Sequence, residues 1–351
     1  MSYARPNIAR IAGYTPGEQP KGQRLTKLNT NENPYPPSPA VIDALRNFPA
    51  ERLKLYPVPG ADGVREAAAE LFGIDSKQVL CGNGSDDLLT IALRSFVDQG
   101  GGFAYTEPSY SLYPVLADIQ GARKMPVALD KNFMLPENAA ELAAGATLFI
   151  MARPNAPTGN SFPKERVSKL CREFPGVVWV DEAYADFADD NCMDLLQHFP
   201  NLVVSRTLSK SYSLAGLRLG LACAAPELIA EMDKVRDSYN IDMITQALAI
   251  AALKDSAAMR ENVRRIRASR EKLRSELQAM GCEVLPSEAN FVFVKPPRPA
   301  AELFQTLRTR GFLVRYFNLP RISEYLRITI GNEEDMAAFC ATCRELFSAG
   351  E

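Results

Sequence analysis

The stretch Arg206-Thr-Leu-Ser-Lys-Ser-Tyr-Ser-Leu-Ala-Gly-Leu-Arg-Leu-Gly220 sets one lysine, Lys210, among small hydroxyl residues, with Arg218 eight positions further on. A lysine that forms a Schiff base with an aldehyde cofactor needs neighbours that bind the cofactor's phosphate. Thr207 and Ser209 offer hydroxyl donors, and Arg218 offers a guanidinium fork for phosphate oxygens. A lone Ser-Lys pair is most often a surface lysine in a serine-rich loop, so the reading needs a second feature. That feature lies upstream, where Val178-Trp-Val-Asp-Glu-Ala-Tyr184 ends an apolar run on the carboxylate of Asp181. A carboxylate buried at a strand end can keep a pyridine nitrogen protonated, which makes the ring an electron sink. Together the two stretches point to pyridoxal 5′-phosphate (PLP).

Outward from this stretch, short apolar runs alternate with helical patterns up to about residue 250. The expected strands are Gln78–Cys81, Gly102–Thr106, Thr147–Met151, Val177–Val180, Leu202–Ser205 and Gly220–Ala225. They are short and apolar or β-branched, as buried parallel strands are. Helices between them predict a doubly wound, mostly parallel α/β sheet, in which ligands bind beyond the carboxyl ends of the strands. Ser38-Pro39 supplies an N-cap followed by an N1 proline and predicts a helix through Arg46. One long amphipathic helix is expected from about Ile244 to Met280, its charged run being a solvated face with i,i+4 pairs. Beyond Gly281 the pattern predicts a smaller α+β unit: strands at Cys282–Leu285, Phe291–Val294, Phe312–Arg315 and Leu326–Ile330, a helix at Ala300–Arg310 and a final helix. The expected division is a large domain at 30–255, with an amino-terminal arm at 1–29 and a small domain at 256–351.

The bulk numbers exclude several classes. The chain has 351 residues, about two domains' worth, and its 46% hydrophobic content is ordinary for a globular core. The 40 basic and 42 acidic residues leave a net charge of −2, which gives nucleic acid no basic face. No apolar run reaches the roughly 18 residues that suggest a membrane span, and the amino-terminal residues lack the apolar core of a signal peptide. Seven cysteines, an odd number, suggest free thiols and a cytoplasmic setting. Cys340 and Cys343 form a C-x-x-C, but no second cysteine pair is near and the chain has one histidine, His198, so no metal site is expected. The single histidine also argues against a Ser-His-Asp or Cys-His mechanism.

Three further motifs fall at predicted strand ends. Gly82-Asn-Gly-Ser-Asp-Asp87 joins a strand to a helix, where free N–H groups and the helix dipole suit a phosphate, although a plain tight turn explains it about as well. Tyr110, in Glu107-Pro-Ser-Tyr110, can lie flat on an aromatic ring or be an ordinary core tyrosine. Arg153-Pro-Asn-Ala-Pro-Thr-Gly159 must be a rigid turn, whose Asn155 can hydrogen-bond a phenolic oxygen, as can Tyr184.

In order and spacing these motifs resemble the fold-type I PLP-dependent aminotransferases over nearly the whole chain. Within that group the chain is most similar to the histidinol-phosphate aminotransferase family, through Gly13-Tyr14-Thr-Pro-Gly17, Asn31-Glu-Asn-Pro34, Tyr56-Pro-Val-Pro-Gly60, Tyr239-Asn240, Ala289-Asn-Phe-Val292, Leu313-Val-Arg315 and Leu326-Arg-Ile-Thr-Ile-Gly331. Aromatic aminotransferases share several of these. The resemblance implies Lys210 as the residue that binds PLP covalently and shuttles the proton, Asp181 on the pyridine nitrogen, Tyr184 on the ring hydroxyl and Tyr110 stacked on the ring. It places Gly84, Ser85, Asp86, Thr207, Ser209 and Arg218 around the phosphate, joined by Tyr56 of a second subunit of a homodimer. Arg315 and Arg327 are implied as partners of the substrate anions, with Asn33, Tyr14 and Tyr239 also at the substrate. The implied reaction converts imidazole-acetol phosphate and L-glutamate to L-histidinol phosphate and 2-oxoglutarate. An aromatic amino acid aminotransferase is the alternative, and a non-catalytic PLP-binding sensor a more distant one. One position departs from the family's pattern: asparagine usually precedes Pro-Thr-Gly, and here Ala156 does. Either Asn155, one step earlier, takes over the contact to the ring oxygen, or Tyr184 makes it alone.

Overall fold

Alternating apolar side chains on short strands divide the core into two layers, one on each face of a central sheet. The structure, a computed structural model, describes residues 3–20 and 25–348, so the expected arm at 1–29 is described only in part. After a two-residue strand β1 (Thr26–Lys27), seven strands build the main sheet: β2 (Val79–Gly82), β3 (Gly102–Glu107), β4 (Arg123–Ala128), β5 (Ala146–Ala152), β6 (Val177–Asp181), β7 (Leu202–Thr207) and β8 (Gly220–Ala224). Their order is β2-β8-β7-β6-β5-β3-β4, with β8 antiparallel to both neighbours and every other pair parallel. On β6, Val178 and Val180 pack into one helical layer and Trp179 into the other, as do Leu202 and Val204 against Val203 on β7. This period of two, with both faces covered, is why the strands read as unbroken apolar runs.

A second core forms around four short antiparallel strands, β9 (Glu283–Val284), β10 (Phe291–Lys295), β12 (Arg315–Tyr316) and β13 (Leu326–Thr329), in the order β12-β13-β10-β9. β11 (Phe312–Leu313) leaves this sheet and pairs in parallel with β1. The sequence predicts one strand over 312–315. Its two halves instead serve different sheets, with buried Val314 at the turn between them. Cys340 and Cys343 are buried in the helix Glu333–Ser348, and all seven cysteines are free. Ser38 Oγ accepts from the Val41 N–H at 3.4 Å and starts the helix Pro39–Arg46.

β4 and the long helix also differ from expectation. β4 is unanticipated because it is an edge strand: its Arg-Lys-Met-Pro-Val-Ala sequence is mostly exposed, and Pro126 is tolerated where no neighbour needs its missing N–H. The long helix is two helices, Met243–Lys254 and Ser256–Ala279, parted at Asp255, whose φ of −102° and ψ of 49° leave the helical region. No helix among the described residues is long and apolar enough to cross a membrane.

Candidate active site

The carboxyl ends of β3, β5, β6 and β7 open onto a cavity of about 290 Å³, lined also by residues between 14 and 19, by residues 29–32 and by β12 and β13. Asp181, the last residue of β6, forms its floor and is 5% exposed. Tyr113 Oη donates to its Oδ2 at 3.1 Å, and Ser205 Oγ to its Oδ1 at 3.4 Å. Ser205 is itself held by the Trp179 indole N–H at 2.9 Å. Burial, with the like charge of Asp86, raises the Asp181 pKa to about 6, although the Tyr113 and Ser205 bonds oppose the rise. With a pKa of about 6, Asp181 is mostly ionised at neutral pH, and it lines the cavity.

Lys210 stands in the turn after β7. Its Nζ donates to the Thr30 carbonyl at 3.1 Å and lies 5.9 Å from the centre of the Tyr184 ring. Burial and the charges of Arg327 and Arg218 lower its pKa to about 8, against the pull of Glu32 and Asp86. Asn33 does not line the cavity. Its amide donates to the Lys210 and Ser211 carbonyls at 3.0 and 3.1 Å, so it fixes the backbone that carries the lysine.

At one end of the cavity the helix Ser85–Phe96 begins without a side-chain cap, which leaves its first N–H groups free. Gly84 has φ 83° and ψ 170°, and the Arg218 guanidinium lies where a Cβ would be. Arg218 reaches there from a left-handed residue, φ 54°, and sits 3.9 Å from the Asp86 carboxylate. Thr207 Oγ1 is 3.0 Å from Ser209 Oγ, and both residues line the same end. Tyr110 Oη donates to Asp86 at 3.2 Å. Helix terminus, hydroxyls and guanidinium together form an anion cup.

Two further arginines line the cavity. Arg315 and Arg327 are cross-strand partners on β12 and β13 and both line the cavity. Arg327 Nη2 donates to the Asn29 carbonyl at 2.8 Å, while its buried Nε has no partner. Among the described residues no carboxylate pairs with either arginine. Burial, and the like charge of Arg315, push the Arg327 pKa down. Tyr14 packs edge-on against Tyr110, ring centres 5.8 Å apart, on the same wall.

The Pro-Asn-Ala-Pro turn settles where Asn155 points. Its Nδ2 donates to the Pro108 carbonyl at 3.0 Å and to Thr158 Oγ1 at 2.8 Å, and its Oδ1 accepts from Ser109 at 2.7 Å. The amide is engaged by Thr158 within the turn and by Pro108 and Ser109 of the loop after β3, and Ala156 lines the cavity in its place. Tyr184 faces the cavity with its hydroxyl accepting from Asn31 Nδ2 at 2.8 Å. Tyr56 and Tyr239 lie outside the cavity. They stack on each other at 4.6 Å on the surface, 79% and 46% exposed. Sequence reasoning flagged the Asn31–Pro34 loop yet chose Asn33 over Asn31, and it missed Tyr113, which no local motif marks.

Comparison with known proteins decides the family. The model for aminotransferase class I and II matches residues 23–342. The chain belongs to the class I and II aminotransferase family. Relatives named histidinol-phosphate aminotransferase include those of Synechocystis sp., 47% identical over 96% of both chains, and Syntrophotalea carbinolica, 44% identical over 99% of this chain and 100% of the other. The fold of this aminotransferase is similar to that of a crystal structure described as histidinol-phosphate aminotransferase from Sinorhizobium meliloti in complex with pyridoxal-5′-phosphate. The two share 25% identity with a TM-score of 0.91, covering 100% and 99% of the two chains. An aspartate aminotransferase from Thermus thermophilus shares the fold at 20% identity and a TM-score of 0.82.

Proposed function

We propose that this aminotransferase holds PLP in the cavity and moves an amino group from L-glutamate to imidazole-acetol phosphate, giving L-histidinol phosphate and 2-oxoglutarate. The residues fit the cofactor. The uncapped helix start at Ser85, Thr207, Ser209 and Arg218 would hold its phosphate, Asp181 its ring nitrogen and Tyr184 its ring oxygen, with Tyr110 against the ring face. The Arg218 guanidinium packs directly against Gly84 at the helix start, so guanidinium and backbone N–H groups face one anion together. When bound, PLP supplies the electron sink.

The rest falls to the chain's own side chains. Lys210, its pKa brought to about 8, offers a neutral amine to an aldehyde near physiological pH and afterwards can carry a proton on Nζ. Asp181 holds a positive partner by charge. The observation that carries the substrate reading is the pair Arg315 and Arg327, two guanidinium groups lining the cavity that no carboxylate pairs with among the described residues. Guanidinium forks bind carboxylate and phosphate alike, so one site can take glutamate in one half-reaction and histidinol phosphate in the other. The names of the relatives support the same pair of substrates. The reading includes a homodimer in the cytoplasm. The exposed Tyr56–Tyr239 stack, with exposed Leu53, Leu55 and Val58 beside it, is the surface assigned to the second subunit.

Glutamate alone tests the reaction type. Added to the PLP-loaded protein, it should convert the visible absorption to that of the amine form with release of one 2-oxoglutarate per site. A protein that only senses PLP would keep its spectrum.

A further inference from the structure

Ala156 and the fully engaged Asn155 leave Tyr184 as the side chain set to donate to the cofactor's ring oxygen, and what aims Tyr184 is Asn31. The latter is buried, 1% exposed, in a left-handed conformation at φ 56° that asparagine tolerates and most residues do not. All of its polar groups are engaged. Its N–H donates to Thr329 Oγ1 at 3.0 Å, and the Thr329 hydroxyl donates back to Asn31 Oδ1 at 2.9 Å. Its carbonyl accepts from Asn290 Nδ2 at 3.0 Å. With Oδ1 occupied by a donor, the side chain presents Nδ2 to Tyr184, and Nδ2–H donates to the Tyr184 oxygen at 2.8 Å. A phenol oxygen that accepts here keeps its own proton free for the cavity.

We infer that Asn31 is a positioning residue of the reaction: it fixes Tyr184 as a donor toward the cofactor's ring oxygen, in place of the donor that Ala156 cannot provide. This rests on the PLP reading above. The donor chain runs from Thr329 of β13 through Asn31 to Tyr184 beyond β6, so the smaller sheet and the main sheet are joined at the point where the ring oxygen would lie. Burial raises the Tyr184 pKa, and the Nδ2–H bond from Asn31 opposes that rise.

The test is the pH titration of the visible absorption of the PLP-loaded enzyme. Negative charge remains on the ring oxygen in the alkaline form, and a donor stabilises it, so losing the donor moves the midpoint up. Asn31→Gly keeps the left-handed backbone and removes the amide. It should raise the midpoint by about half a pH unit or more, the size of one hydrogen bond. In a Tyr184→Phe background, already shifted up, Asn31→Gly should add nothing. Thr329→Val, which frees Oδ1, should shift the midpoint the same way by less, and serves if the glycine variant does not fold. No shift in either single variant, or an equal shift with and without the Tyr184 hydroxyl, overturns the role. A wild-type protein that takes up no PLP would instead overturn the cofactor reading itself.

Discussion

Lys210 is useful only when its amine is uncharged, and its surroundings decide the pH at which that happens. Enclosure and two nearby guanidinium groups bring its pKa to about 8 from the ordinary lysine value of 10.5. The sign follows: the neutral fraction rises as pH rises through about 8. The rate at which apo protein captures PLP, followed by stopped-flow absorbance, should therefore climb with a midpoint near 8. A midpoint above 10 would mean that the lysine is not enclosed as described. Individual residues were legible where chemistry and spacing coincide: Lys210, Thr207, Ser209 and Arg218 lie within one stretch, and the structure brings them with Asp181 to one cavity. Asn155 and Asn33 were harder. Both sit in the right loops, but whether an amide faces the cavity or the backbone of a neighbouring loop depends on side-chain direction, which spacing does not fix. Tyr113 reaches Asp181 from a helix 68 positions earlier, a contact only the fold creates.

At the scale of elements, the site depends on the turn from β2 into the helix Ser85–Phe96. Gly84 there has φ 83° and ψ 170°, a conformation nearly exclusive to glycine, and Arg218 fills the space beside it. Gly84→Ala should strain the turn and displace Arg218, weakening PLP affinity by on the order of 1–3 kcal/mol, or roughly 5- to 150-fold. Titration of apo protein with PLP measures this, and unchanged affinity would exclude the cup as the phosphate site. The buried strands were readable because both of their faces are apolar. β4 was not, since an edge strand with one wet side lacks that signature. The break at Asp255 was hidden because the apolar stripe continues in similar phase on both sides of it.

At the scale of the molecule, the exposed Tyr56–Tyr239 stack does not line the active-site cavity of its own chain. If each subunit lends these residues to its partner across a two-fold, two differently inactive proteins should complement. Mixing Tyr56→Phe/Tyr239→Ala protein with Lys210→Ala protein should restore activity at up to half the sites of each mixed dimer. No recovery, with exchange proved by mass, would place both tyrosines in their own subunit's function. The most direct test of the whole account compares substrates in a single half-reaction. PLP-loaded enzyme is mixed with L-histidinol phosphate or with L-phenylalanine, and conversion to the amine form is timed. The account predicts that histidinol phosphate converts every site at least about tenfold faster, and that Arg315→Ala and Arg327→Ala erase most of this advantage by removing a charge-assisted pair. Equal or faster conversion by phenylalanine would contradict it and make the protein an aromatic aminotransferase.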